Sequence, residues 1–227
     1  MVQEIKTISF GGVNCYLLTT HKGFVLIDTG FSKNRVDVER ELKSAGCTPE
    51  TLKLILLTHG DFDHSGNAAY LREKYSVKIA MHIDDEGMVE KGDLFYNRKA
   101  NFLMRMMGRI MLFFLGGCLK KNERFIPDLH IDDCYDLSEF GLDATVMYIP
   151  GHSKGSIGIL TSTGDLFCGD LFENTKKPTK NSLIADKKAF NESVKKLNGL
   201  KIGTVYPGHG EPFPMEKFIK KQELSED

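Results

Sequence analysis

One stretch of ten residues constrains this chain more than any other. It reads Thr58-His59-Gly60-Asp61-Phe62-Asp63-His64-Ser65-Gly66-Asn67 and directly follows the apolar run 54–57. The apolar run predicts a buried strand, because it is short and continuous and the following glycine ends any helix. Successive strand residues point to opposite faces, so the two imidazoles and two carboxylates are expected on the irregular segment beyond the strand. Imidazole nitrogen with carboxylate oxygen suits zinc, iron or manganese.

Three later segments repeat the order of apolar strand, glycine turn and ligand-type residue. Pro-Gly-His ends at His152, Cys-Gly-Asp ends at Asp170, and a second Pro-Gly-His ends at His209. A single aspartate in such a loop is more often a helix cap or a turn former. Because four separate strand ends carry the same chemistry, the set favours one shared metal site over four ordinary turns.

With these motifs the chain resembles the metallo-beta-lactamase fold family of metal-dependent hydrolases over nearly its whole length. The first motif of that family is His-x-His-x-Asp-His, followed by a single His, a single Asp and a final His. The resemblance implies two divalent metals: a first site of His59, Asp61 and His152, a second site of Asp63, His64 and His209, and Asp170 as the bridge. Zinc is the first expectation. Manganese or iron is the alternative, because Asp61 stands where the family usually has histidine.

The resemblance also implies the fold class, an α/β four-layer αββα sandwich of two mixed sheets with outer helices. Two hairpins fit it, one before Asp28 and one before Asp170. Helices are predicted over 32–45, 67–75 and 186–197. No linker-like composition divides residues 1–227, which predicts a single domain.

The least family-like stretch is 86–128, which we expect to be a helical insertion or a cap over the metal cleft. Residues 102–115 are apolar nearly all round, but Arg105 and Arg109 interrupt them, so a membrane span is not expected. Two alternatives remain for this stretch: a buried core helix, or a cap over the cleft that also meets a partner chain. As a cap, 101–115 would form an apolar wall that includes Met107 and Phe113, and 100–115 could form a homodimer contact.

Charge and cysteine content narrow the partners and the compartment. The chain has 30 basic and 31 acidic residues, so nothing draws it generally to nucleic acid or to an anionic membrane. Its five cysteines form no CxxC motif and are expected to be reduced core residues. No signal-like segment opens the chain, and a cytoplasmic location is therefore expected.

The expected chemistry is hydrolysis of a small-molecule ester, thioester or lactone. Two metals can share a water, lower its pKa and present hydroxide to a carbonyl, while Asp63 orients the nucleophile and passes a proton to the leaving group. Asp28 is expected to orient a ligand histidine from behind. The lysines of the loop 175–181 could hold an anionic group, although loop lysines are usually solvated.

Other functions are weighed against this one. A glyoxalase II would carry a helical region after the last ligand, and a nuclease would need a more basic face, so neither is expected. Asp61 is the argument for a di-iron oxidoreductase, but the chain shows no flavodoxin-like domain to deliver electrons. A non-catalytic metal-binding protein is disfavoured by the full ligand set.

Overall fold

Two mixed sheets form the body of the protein. The computed structural model describes residues 2, 4–98, 103, 106, 107, 110 and 119–218. Within them the first sheet contains, in spatial order, β1 (Glu4–Phe10), β2 (Val13–Thr20), β3 (Gly23–Ile27), β4 (Leu52–Leu56), β5 (Ile79–Met81) and β6 (Leu129–His130). Strands β1 to β3 pair antiparallel, and β3 to β6 pair parallel.

The second sheet is built from the later part of the chain. Its strands are β7 (Ala144–Tyr148), β8 (Ile157–Thr161), β9 (Asp165–Asn174), β10 (Thr179–Lys180), β11 (Thr204–Gly210) and β12 (Phe213–Pro214). The order is β12-β11-β9-β8-β7, with β10 paired to β9, and only β9 and β11 run parallel. Both sheets are therefore mixed, as predicted.

Helices cover the outer face of each sheet. The described α-helices are α1 (Arg35–Ser44), α2 (Phe62–Ser65), α3 (Ala68–Tyr75), α4 (Ile83–Lys91) and α5 (Lys187–Asn198). Residues of α1, α3 and α4 share a core cluster with the first sheet, whereas α5 packs on the second sheet. A third cluster lies between the sheets. The four-layer αββα prediction is confirmed.

The central strands show why the chain forms layers. In β3, Leu26 belongs to the cluster under the outer helices, while Val25 and Ile27 belong to the cluster between the sheets. The neighbouring β4 repeats this pattern, with Ile55 facing one core and Leu56 the other. Alternate side chains leave a strand on opposite faces, so a continuous apolar strand needs a core on each side.

Local predictions differ from the structure at four places. The segment 32–45 splits into a 3-10 turn at Ser32–Asn34 and α1, in which Val36 is 76% exposed because the core face is set by Val38 and Leu42. The predicted metal loop contains a helical turn, α2. The boundary of the insertion at residue 86 falls inside α4. Cys134 is exposed, not a core residue.

The apolar stretch 100–115 lies largely outside the described residues, and so does Phe113. Its described residues are helical and exposed: Leu103, Met106, Met107 and Ile110. Met107 is 61% exposed and, in the described part of the chain, is absent from the lining of the metal cleft. The homodimer contact stays a prediction. No described helix combines the length and the apolar character needed to cross a membrane.

Candidate metal centre

The predicted ligands come together where the ends of the two sheets meet. Three overlapping groups have ligand atoms within 4.8 Å of one another: His59, Asp61 and His152; His59, His64 and Asp170; and Asp63, His64 and His209. The turn after β4 supplies four of these residues, the turn after β7 supplies His152, and β9 and β11 supply Asp170 and His209. Every residue of the predicted ligand set belongs to at least one group.

The four histidines are oriented in the same way. In each ring Nδ1 faces an oxygen, which leaves Nε2 toward the cluster. The Nδ1 partners are Thr58 Oγ1 for His59 at 2.9 Å, Asp28 Oδ2 for His64 at 2.9 Å, the Leu183 carbonyl for His152 at 2.7 Å and the Gly12 carbonyl for His209 at 2.8 Å. Because Thr58 Oγ1 donates to Asp28, it accepts from His59. The arrangement presets the tautomer that metal binding needs.

Buried polar atoms without a hydrogen-bond partner lie inside the cluster. They include Nε2 of His59, Nε2 of His64 and Oδ1 of Asp170. A buried polar group without a partner is costly, so such atoms call for a ligand. A divalent cation would satisfy imidazole nitrogens and carboxylate oxygens at once. The residues present therefore fit a metal.

The carboxylates and imidazoles of the cluster shift one another's pKa values. Burial alone would raise the pKa of Asp170, but His64 and His209 outweigh it and hold that pKa well below its ordinary value. Burial alone would lower the pKa of His64, yet Asp170, Asp63 and Asp28 raise it well above 6.5. Carboxylates and imidazoles in the metal-free cluster thus stabilise one another's charged forms.

Gly208 allows the ligands to approach one another. A Cβ at this position would lie 2.3 Å from Oδ1 of Asp170 and 2.6 Å from Cε1 of His64. Distances below 3.0 Å are essentially never seen for a real Cβ. Glycine in the last Pro-Gly-His motif is thus required by packing against two candidate ligands, Asp170 and His64.

Asp85 in α4 is a supporting residue that the sequence did not single out. It is fully buried, its Oδ2 accepts from Gly60 N at 2.9 Å and from Ser153 Oγ at 2.6 Å, and its Oδ1 accepts from Gly155 N at 2.7 Å. These contacts fix the loops that carry His59 and His152. In sequence Asp85 sits in an acidic run, Asp84-Asp85-Glu86, which is typical of a solvated first helical turn.

Arg98 is a second residue that sequence reasoning missed. It lies in the insertion, and its guanidinium reaches the first predicted metal site, where Nη2 donates to Oδ2 of Asp61 at 2.8 Å. Burial alone would raise the pKa of Asp61, but Arg98 outweighs it and holds that pKa well below its ordinary value. No motif surrounds Arg98, so no sequence signal connects it with a metal ligand 37 residues away.

A cleft of about 530 Å³ opens beside the ligands. Its apolar wall comes from Phe62, Leu94, Phe95 and Leu183, so residues 94 and 95 of the insertion do contribute to the cleft. From the loop 175–181, Thr175 and Asn181 line the cleft, whereas its lysines are exposed and do not line it. The expectation that these lysines hold an anion is not supported by the described lining.

A family model for the metallo-beta-lactamase superfamily matches residues 8–209, which is most of the chain. The chain belongs to the metallo-beta-lactamase superfamily. Members of this superfamily bind divalent metals and are mostly hydrolases, in agreement with the His and Asp clusters found here.

Curated superfamily relatives are distant in sequence. The probable metallo-hydrolase YflN of Bacillus subtilis is 23% identical over 218 residues, which cover 86% of this chain and 78% of YflN. The hydroxyacylglutathione hydrolase GloC of Haemophilus influenzae is 26% identical over 171 residues, which cover 74% of this chain and 70% of GloC. The names of these relatives support a metallo-hydrolase without giving this chain a substrate.

Solved structures of the superfamily share the fold. The archaeal protein ST1585 from Sulfolobus tokodaii aligns with a TM-score of 0.74 at 21% identity, covering 100% of this chain and 88% of its own. TTHA1623, solved in a di-iron-bound form, aligns with a TM-score of 0.72 at 25% identity, covering 96% of this chain and 97% of its own. The metallo-beta-lactamase fold is therefore shown for this chain.

Proposed function

We propose that the chain is a hydrolase that holds two divalent metals and cleaves a small ester, thioester or lactone. The observation that carries the proposal is the convergence of four histidines and three carboxylates in one cluster beside the cleft, with each Nδ1 held by an oxygen. Metals held by such a set would supply the chemistry of metal-assisted hydrolysis, which is activation of water near neutral pH and polarisation of the substrate carbonyl. Ligand-type residues are grouped at both predicted sites.

Asp63 is the residue we assign to proton transfer. Its Oδ2 lies 3.7 Å from Nε2 of His209 and 3.9 Å from Nε2 of His64, and its side chain is 17% exposed toward the cleft. It is more accessible than Asp61 and Asp170, whose side chains are 6% and 7% exposed. A carboxylate that both touches the ligand cluster and lines the cleft can orient the nucleophile and carry its proton to the leaving group.

The cleft lining narrows the substrate class. Aromatic and aliphatic side chains form one wall, and the polar residues Asn181 and Glu173 also line the cleft. This supports an acyl substrate with an apolar portion. The relative GloC is named for a glutathione thioester, so a hydroxyacyl thioester belongs in the test panel although the sequence argued against it.

The test is hydrolysis of a panel of nitrophenyl esters, thioesters and lactones by metal-loaded protein. His64→Ala and Asp170→Ala should lose bound metal and activity together. Asp63→Asn keeps one side-chain oxygen that can bind metal, so it should lose activity by about 100-fold or more and lose less metal than the two alanine variants. His130→Ala is the matched control, because His130 is exposed and lies outside the described ligand groups. Equal activity in all four variants would refute the assignment.

Iron chemistry is a second candidate, favoured by Asp61 and by the di-iron form of TTHA1623. A carboxylate in place of imidazole makes the first site harder and more suited to iron or manganese than to zinc. Protein that is purified with iron and consumes oxygen in the presence of a reductant, without hydrolysing the panel, would favour an oxidoreductase over a hydrolase.

A further inference from the structure

The first predicted metal site already contains a cation. The Arg98 side chain is 6% exposed, and its Nη2 lies 2.8 Å from Oδ2 of Asp61 and 3.0 Å from Nε2 of His152. Its Nη1 lies 2.8 Å from the other oxygen of Asp61. The guanidinium thus contacts two of the three predicted ligands of the first metal, at the atoms that would bind it.

Hydrogen bonding makes this contact exclusive. Arginine nitrogens only donate, and arginine does not lose its proton in proteins. His152 uses Nδ1 to donate to the Leu183 carbonyl, and its Nε2 lies 3.0 Å from both Arg98 Nη2 and Asp61 Oδ2. Nε2 accepts from Arg98 when it is unprotonated and donates to Asp61 when it is protonated. In neither form does Nε2 have a lone pair free for a metal while Arg98 remains in place.

The guanidinium is held in position by several further contacts. Its Nη1 donates to the Leu94 carbonyl at 2.9 Å, and its Nε lies 3.4 Å from the His152 carbonyl. The preceding residue, Asn97, is anchored to α4 because its Nδ2 donates to the Asp84 carbonyl at 2.7 Å and to Asp85 Oδ1 at 2.5 Å. Arg98 is therefore a positioned residue, whose charge compensates the buried Asp61 carboxylate.

The second site has no such competitor among the described residues. Nε2 of His64 and Oδ1 of Asp170 are buried without hydrogen-bond partners, and the nearest charged groups around them are other ligands of the cluster. A metal that binds there displaces no arginine. The two predicted sites thus differ in the metal-free protein, because only the first is occupied by an arginine in the described part of the chain.

We propose that Arg98 and the first metal exclude each other, so that the second site fills first and the first site fills only when Arg98 withdraws into the cleft that it lines. The inference deepens the proposed function and rests on the same ligand set. It makes Arg98 the residue that sets how much metal is needed to complete a dinuclear centre. Breaking a buried charge pair opposes the second binding step, which lowers its affinity.

The test is a manganese titration of the intact protein, Arg98→Met and Arg98→Gln, with Arg72→Gln as the matched control. Arg72 pairs with Asp128 on the surface, away from the cluster. Equilibrium dialysis gives the affinity of each step, and electron paramagnetic resonance distinguishes an isolated manganese ion from a coupled pair. Neither measurement depends on activity.

The wild type and Arg72→Gln should bind a first manganese at least about tenfold more tightly than a second, with the coupled signal appearing only in the second step. In both Arg98 variants the gap should shrink to about threefold or less. Two equally tight sites in the wild type, or an unchanged gap in the Arg98 variants, would overturn the inference and leave the hydrolase proposal standing. A wild type that binds no manganese, zinc or iron would overturn both.

A measurement on the wild type alone guards against misfolded variants. Phenylglyoxal modifies accessible arginine side chains, and mass spectrometry locates the modified residue. Arg98 should be protected in metal-free and singly loaded protein and should become modified once the second manganese binds. Modification of Arg98 at every metal concentration, or protection with both sites filled, would contradict mutual exclusion.

Discussion

Oδ2 of Asp28 accepts a hydrogen bond from Nδ1 of His64 at 2.9 Å, and this contact joins the turn after β3 to the metal motif 36 residues later. The other oxygen of Asp28 accepts from the Thr58 backbone N–H at 2.8 Å. Asp28 holds this position with φ of 57°, in the left-handed region that few residues other than glycine adopt. A strained aspartate that orients a ligand from behind is the role expected for it from the sequence.

Asp28→Asn should weaken metal binding by about 10- to 100-fold, because the amide is a poorer partner for Nδ1–H of His64 and leaves the ring less basic. Chelator competition measures the affinity. Asp136→Asn is the control, since Asp136 is an exposed turn residue bonded to Ser138. An affinity equal to that of the wild type would show that Asp28 only shapes the turn.

Gly208→Ala should lower both metal content and stability. The new methyl group would clash with Asp170 and His64. Such overpacking lowers the free energy of unfolding by about 1–3 kcal/mol. Elemental analysis and chemical denaturation measure the two effects. Gly199→Ala is the matched control, because the nearest atom to its new Cβ would be 3.7 Å away. Normal metal content in Gly208→Ala would mean that the ligands are less tightly packed than described.

Asp85→Ala should destabilise the fold by about 3 kcal/mol or more, because the buried N–H groups of Gly60 and Gly155 would lose a charged acceptor. Asp84→Ala is the comparison. Its carboxylate pairs with the exposed Lys154, so the loss should stay within about 1 kcal/mol. The denaturant midpoints of the two variants measure this difference. Similar midpoints would show that Asp85 does not support the two loops.

As pH rises, the stability of the metal-free protein should fall and its affinity for metal should grow. In the metal-free protein the pKa of His64 is raised above 6.5, so its stabilising contribution is complete below 6.5 and is lost as pH rises through the raised value. Metal binds only the deprotonated ring, so affinity grows over the same range. Calorimetry from about pH 6 to about pH 9 should show a falling metal-free Tm and a growing increase on adding manganese. A metal-induced increase that does not vary with pH would contradict this.

The grouping of the candidate ligands could be predicted because each residue follows a recognisable local pattern. A strand end, a glycine and a ligand-type residue recur in the sequence, and His152, Asp170 and His209 all lie in such turns. The layers could be predicted for a similar reason, since continuous apolar strands such as β4 need a core on both faces. Local sequence patterns were therefore sufficient to predict the candidate ligands and the layers of the fold.

Arg98 and Asp85 could not be predicted, because what makes them important is their distance from other residues in space and not their neighbours in sequence. Asp85 is buried only because α4 packs over the loops of Gly60 and Ser153. Arg98 meets Asp61 only because residues 94, 95 and 98 lie beside the cleft. Val36 is apolar but exposed, because an apolar residue alone does not determine which face of a helix meets the core.

The most direct test of the central claim is a parallel titration of bound metal and hydrolysis in the metal-stripped protein. Manganese, zinc and iron are each added in steps, and metal content and turnover of the best substrate in the ester, thioester and lactone panel are measured on the same samples. We predict that turnover is absent in the stripped protein and rises with metal bound to the cluster, and that Asp170→Ala shows neither bound metal nor turnover. Turnover that is equally fast without metal, or a fully loaded protein that hydrolyses nothing in the panel, would contradict it.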